Sequence, residues 1–462
     1  MTFADPLNWL PNGVPGVLDE AKFDANGMQT VQFASSPINN ALSVENDDVV
    51  FQLTGRTYSM ADLVVGDRMI DVGVLVVEGG TLSTTTGLAR IGKLSPSTGH
   101  LTLSNGASLV NQRDLIIGDG GSGFFVLNAG CTASSLITFI ADEPGSNGDA
   151  IIRGNWTIQN SALLGNGGTG ILRVEAGGTV SVGLNTKIGD DVGSSGTLEV
   201  SGANSTFASG AVTTVGNFGR GVLMVSNGGL LTTPGLHIAD DALGDVTVDG
   251  GSVVDTVGVF VGNRALGTLT LANGGAVQSP LVTVTPLGTM SGSGSVTGNV
   301  LNQGAVAPGN GAGVLAVSGS FTQTLGALNI ELGGSGLGTE YDQLSATGTI
   351  SLGGTLNVSL INGFNPDSGE FVIVQGGSVS GVFAVENLPA GFSISYEASR
   401  VVLTIGNACV ADFNGDGIVN TQDVLLFLNA WVAGDLTADM NGDGLVNTLD
   451  FILYLNLWTA GC

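Results

Sequence analysis

Two twelve-residue stretches near the C-terminal end, DFNGDGIVNTQD (Asp412 to Asp423) and DMNGDGLVNTLD (Asp439 to Asp450), carry oxygen-bearing side chains at the same five positions. Asp412, Asn414, Asp416, Asn420 and Asp423 stand at positions 1, 3, 5, 9 and 12 of the first stretch. Asp439, Asn441, Asp443, Asn447 and Asp450 repeat them in the second. Gly417 and Gly444 occupy position 6, where the chain must turn sharply. Position 7, Ile418 or Leu445, can offer its main-chain carbonyl. An all-oxygen set with this spacing suits a hard cation, and above all Ca²⁺. Between Cys409 and Cys462 there are seven Asp and no Lys or Arg, and six of those Asp are expected ligands. Crowded carboxylates repel one another unless a cation sits among them, so two bound Ca²⁺ are expected. The alternative is a pair of acidic turns without metal.

The spacing is that of an EF-hand-type loop, with Asp in place of the usual Glu at position 12. One helix is expected behind each loop, over 421–431 (TQDVLLFLNAW) and 448–458 (TLDFILYLNLW). Asn420 and Asn447 are placed to cap them, and Asp423 and Asp450 favour their first turns. Both helices are apolar nearly all round, so they should be covered by a partner or by the rest of the chain.

The rest of the chain reads as a ladder. From Gly73 one frame recurs: GVLVVEGGTLS, then GHLTLSNGASL at Gly99 and GFFVLNAGCTA at Gly123. It returns at Gly170, Gly196, Gly221, Gly244 and Gly267, with a worn copy near Gly148. Each copy holds short alternating strands. One such rung cannot bury its own apolar face, so copies must stack. A parallel β-helix of about nine rungs with ~24-residue turns is expected over 71–285, preceded by a β cap over 1–70. A second β-region over 286–406 closes it, and 407–462 forms a separate module. A second marker trails the frames, such as Ile117-Gly118, Leu164-Gly165 or Val215-Gly216, and after it comes a column of Asp119, Asp142, Asn166, Asp190, Asn217, Asp240 and Asn263. It reads either as stacked turn residues in the left-handed region bonding their own backbone, or as a line of oxygens for cations or sugars.

Composition narrows the function. Thirty-nine Asp and Glu against twelve Lys and Arg give a net charge of −27, which argues against nucleic acid and anionic membranes. Two His in 462 residues leave little for His-based zinc sites or a Ser-His-Asp triad. No apolar run is long enough to span a membrane. The start, MTFADPLNWLPNG, has no basic and apolar leader segments, so an export signal is not visible in it.

Resemblances extend these readings. The GxLxVxxGG rungs resemble the autotransporter-associated and PEP-CTERM-associated β-strand repeats of bacterial surface proteins. AVAPGNGAGVLAVSG (Ala305–Gly319) and YDQLSATGTISLGGTLNVSL (Tyr341–Leu360) resemble the ends of autotransporter passenger regions. This implies export and a β-helical surface role. The paired loop-helix repeats over 409–462 resemble the type I dockerin, and the Gly461-Cys462 ending resembles the dockerin-like tails of planctomycete secreted proteins. The dockerin resemblance implies two Ca²⁺ ions and a cohesin-like or other surface-protein partner. It also implies contact positions at Thr421, Gln422, Thr448 and Leu449. A dockerin brings its ends together, so Cys409 and Cys462 are expected to form a disulfide worth roughly 4 kcal/mol, or else Cys462 serves as an anchoring thiol. Cys131 is expected at the place held by Thr81 and Thr179 in other rungs, as a small buried residue.

Two function classes follow. The first is a non-enzymatic secreted or surface spacer or adhesin docked through the calcium-dependent tail. The second is a polysaccharide-active β-helix enzyme, a lyase or glycoside hydrolase, carried by that tail. A lyase would need a base beside acids. Arg173 with Asp190 and Asp191, or Arg220 with Asp240 and Asp241, are its candidates, and possible polysaccharide contact goes with this reading.

Overall fold

The computed structural model describes residues 1–462 except Met69, Asn407, Ala408, Gly417 and Cys462. A regular rung contributes three strands, for example Thr98–Ser104, Ser108–Asn111 and Leu115–Ile117. The first kind of strand stacks into one sixteen-stranded sheet, and the other two kinds merge into a twenty-nine-stranded sheet. Within the rungs every neighbour pair is parallel, as a coil of stacked short strands requires. The fold is therefore a β-solenoid.

Alternation builds the core. Along Thr98–Ser104 every second residue is buried, and the inward Leu101 stacks between Leu75 and Phe125. The same column continues through Ala150, Leu172, Leu198, Leu223, Val246 and Leu269 to Met290. The worn copy at Gly148 belongs to it, with Ala150 where most rungs carry a larger side chain. In that region Phe125 and Trp156 meet edge-to-face at 5.4 Å.

The frame glycine is required by packing. A Cβ on Gly196 would lie 2.2 Å from the Leu164 carbonyl oxygen and 2.4 Å from the Gly189 nitrogen, where the corner of the coil presses against the strand.

The ladder is longer than nine rungs. Nine strands of the sixteen-stranded sheet, from Val72–Glu78 to Gly267–Ala272, fall in the periodic region. Two precede it, Met28–Gln32 and Asp48–Gln52, and five follow it, ending with Val385–Asn387. At ~4.8 Å per strand this ladder is about 70 Å long. The added rungs escape the 24-residue frame because their turns differ in length. Paired residues are offset by 16 between Thr289 and Ala305, and by 30 between Thr355 and Val385.

At the N-terminal end Phe3, Trp9, Phe23, Phe33, Phe51 and Tyr58 form an aromatic cluster with centroid separations of 5.0–5.7 Å. Toward the other end Arg400–Ile405 pairs antiparallel with Gly369–Gln375 and with Phe392–Tyr396. Beyond it lie helices α1 (Thr421–Ala433) and α2 (Thr448–Ala460), each two residues longer than expected.

Candidate metal centre

Each loop is organised by its position-12 carboxylate. Asp423 Oδ1 accepts the Asn414 N–H at 3.0 Å and Oδ2 accepts the Asn420 N–H at 2.8 Å. Asp450 does the same in the second loop. Its Oδ1 takes the N–H groups of Met440 (2.9 Å) and Asn441 (3.2 Å), and its Oδ2 takes that of Asn447 (2.8 Å). One side chain thus ties the start of each loop to its end. Both carboxylates are fully buried. The N–H of Asn420 in one loop and of Asn447 in the other is the main force holding these carboxyls below the usual range, against the opposing effect of burial.

The same bonds start the helices. Asn420 Oδ1 accepts the Gln422 N–H at 2.7 Å and Asn447 Oδ1 accepts the Leu449 N–H at 2.8 Å, each completing a reciprocal capping box with Asp423 or Asp450. The spacing that predicts ion ligands at positions 9 and 12 is also the spacing of a helix start.

Positions 3 and 5 are knitted in the same way in both loops, and position 1 accepts from the turn in each. Asn414 Oδ1 accepts the Asp416 N–H at 2.8 Å, and Asp416 Oδ1 accepts the Ile418 N–H at 2.9 Å. Asn441 Oδ1 accepts from Asp443 at 2.9 Å, and Asp443 Oδ1 accepts from Leu445 at 2.8 Å. Asp412 Oδ1 accepts the Asp416 N–H at 3.1 Å, and Asp439 accepts the N–H groups of Gly442 and Gly444 at 2.9 and 2.7 Å. Gly444 has φ +83°, as the turn at position 6 demands, and its counterpart Gly417 lies outside the described residues.

The loop oxygens therefore face backbone N–H groups and one another. Among the described residues no three Asp, Glu, His or Cys side chains form a ready metal cluster. The donor chemistry nonetheless fits a calcium ion. Each loop gathers three carboxylates and two amide side chains, plus the position-7 carbonyl, with no nitrogen or sulfur donor.

The two repeats meet through a small core. Phe427 and Tyr454, which are 27 residues apart like the loops, stack at 3.9 Å with an interplanar angle of 7°. The Tyr454 hydroxyl donates to the Ala411 carbonyl at 3.0 Å, and burial pushes that phenol up to about 12. Sequence reasoning missed Trp431 and Trp458. Trp431 Nε1 donates to the Asn447 carbonyl at 2.6 Å and Trp458 Nε1 to the Asn420 carbonyl at 3.0 Å, so each helix reaches the other loop. Their shared 27-residue spacing was the available signal.

The helices are not covered all round. Leu425, Leu426, Val432, Leu449 and Ile452 are exposed, as are Thr421, Gln422 and Thr448. Cys462 lies outside the described residues, and with it the expected Cys409–Cys462 pairing. Cys131 is buried and free, but its register differs from the expectation. Thr132 is the residue aligned, through Ser108 and Asn155, with Thr81 and Thr179, and Cys131 precedes it.

On the solenoid the proposed basic-acidic groupings do not form. Arg173 pairs with Asp149 at 2.6 Å and Glu199 at 3.2 Å, and Arg220 pairs with Asp245 at 3.1 Å. Asp190 takes Lys187, while Asp240 and Asp241 take Arg264. Lys187 and Asp190 are three residues apart, and the other partners sit on adjacent rungs. Six members of the Asp/Asn column pair in three separate side-chain bonds between adjacent rungs. Asn166 donates to Asp142 at 2.7 Å, Asn217 to Asp190 at 2.6 Å and Asn263 to Asp240 at 2.7 Å. The left-handed residue is the one before each, such as Gly118, Ala141 or Gly165, and not the Asp or Asn.

Fold and site together define a β-solenoid that carries a duplicated loop-helix module. Residues 410–456 match the family model described as the dockerin type I domain. Domains of that family bind calcium and cohesins in general. No curated protein matches the chain. No helix among the described residues is long and apolar enough to cross a membrane.

Proposed function

We propose that this protein is a secreted or cell-surface β-helical spacer or adhesin without enzymatic activity, held in place through its calcium-dependent C-terminal module. Two Ca²⁺ ions are bound, one by Asp412, Asn414, Asp416, Ile418, Asn420 and Asp423. The other is bound by Asp439, Asn441, Asp443, Leu445, Asn447 and Asp450. In this reading the ions neutralise the carboxylates of positions 1 and 5, and the position-12 carboxylate joins each loop to its helix. The partner is a cohesin-like or other surface protein that meets Thr421, Gln422, Thr448 and Leu449.

The observation that carries the reading is the duplicated loop architecture behind two helices whose apolar side chains remain exposed. Exposed Leu and Ile on a short helix pair are what a docking surface requires. Against the polysaccharide-active alternative, Arg173 pairs with Asp149 and Glu199 and Arg220 with Asp245, and not with the acids named for them. The test is pull-down of surface proteins by the full chain in calcium and in chelator. Partner capture that depends on calcium and is lost in Leu449→Asp supports the reading. Capture that is indifferent to chelator contradicts it.

A further inference from the structure

Each position-9 residue is held from two sides. The Asn447 N–H is bound by Asp450 of its own loop, while the Asn447 carbonyl is bound by Trp431 from the far end of α1. The Asn420 N–H is bound by Asp423, while the Asn420 carbonyl is bound by Trp458 from the far end of α2. Helix α1 grows out of the first loop and ends on the second, and α2 does the reverse. Both indoles also pack on the core shared by the two repeats, and Trp431 lies 5.6 Å from the Phe451 ring.

We propose that Trp431 and Trp458 are positioning residues that couple the two calcium loops, so that filling one loop preorganises the other and the ions bind cooperatively. The proposal rests on the calcium reading above. An ion that orders the first loop also orders α1, and Trp431 then fixes the Asn447 carbonyl before the second ion arrives. The second ion meets a loop whose ordering cost has already been met, which is positive coupling in free-energy terms. Because the arrangement is reciprocal, either loop can fill first.

The experiment uses the full chain and Ca²⁺ alone, followed by tryptophan emission and by hydrogen exchange at the two loops. Trp9 and Trp156 are buried in the solenoid and supply a constant background. The wild type is expected to titrate in one transition steeper than a simple hyperbola. Trp431→Phe keeps a ring and removes the N–H donor. It should flatten the transition toward two independent sites, with the second ion to bind weakened about tenfold, the equivalent of about 1.4 kcal/mol. Trp458→Phe should do the same from the other side. Val424→Ala, which thins the same core without touching either carbonyl, should shift the midpoint and keep the steepness.

The coupling is overturned if the two Trp variants keep the wild-type steepness, whether at the wild-type midpoint or at a shifted one, as Val424→Ala does. A wild type that binds no calcium overturns the calcium reading itself. A wild type that binds two ions without cooperativity overturns only the coupling.

Discussion

Replacing Phe427 with Ala probes how the C-terminal module is held together. Phe427, Ala438 and Tyr454 are its fully buried apolar residues in the main cluster, and Phe427 spans the interface between the two repeats by stacking on Tyr454 at 3.9 Å. Truncating a buried Phe to Ala costs about 3–5 kcal/mol. A core in a unit this small supplies roughly 3–5 kcal/mol in all. Phe427→Ala should therefore unfold the module outright. Phe427→Leu keeps most of the volume and should cost about 1.5 kcal/mol, leaving the module folded but weakened. A bound ion at a hundred times its dissociation constant restores only about 2.7 kcal/mol per site, so the loss should be plainest in chelator. The assay is hydrogen exchange on the full chain. In Phe427→Ala, residues 421–460 should exchange as an open chain while the rungs around 195–250 keep full protection. Near-native protection of both helices in that variant would refute the reasoning that this stack is the centre of the module.

Further outcomes follow from the solenoid. Gly196→Ala drives a Cβ into the preceding rung and should lower stability by about 3 kcal/mol, whereas Gly106→Ala, at φ +75° with open space around it, should lose only about 1 kcal/mol; urea midpoints distinguish the two. Burial pushes the Asp342 carboxyl up to about 7, outweighing its bonds from the Gly313 and Glu331 N–H groups. Its folded value is raised above the unfolded one, near 4, so its contribution is full below about pH 4 and is lost as pH rises through about 7. Urea midpoints should accordingly fall between pH 4 and 7.5, and Asp342→Asn should flatten that slope. Asn217→Ala removes the 2.6 Å bond to the buried Asp190 carboxylate and should cost about 1–3 kcal/mol by thermal unfolding.

Much of this molecule is legible in its sequence because repetition amplifies weak signals. The Gly73-to-Gly267 frame places nine rungs, and the paired DxNGDG stretches place both loops and both helix starts. What repetition does not carry is lost. The rungs around Met28–Gln32 and Ala305–Pro308 follow turns of other lengths, so no period announces them. Ion pairing depends on register between rungs, which sets Arg173 opposite Glu199 and diagonal to Asp149, so that it pairs with these and not with Asp190. The position of Cys131 fails for a similar reason, because a shift of one residue in an alternating strand cannot be read from composition. The exposed Leu425 and Ile452 show the limit of reading a uniformly apolar helix as a buried one. Such a face predicts that something must cover it, and it does not say what.

We propose that the duplicated loops make the C-terminal module a calcium-assembled docking unit on a β-solenoid. Calorimetric titration of the full chain with Ca²⁺, read together with hydrogen exchange over 409–461, tests it most directly. Two ions should bind per chain, with protection gained in both loops and both helices. No heat of binding and no change in protection at millimolar Ca²⁺ would contradict it.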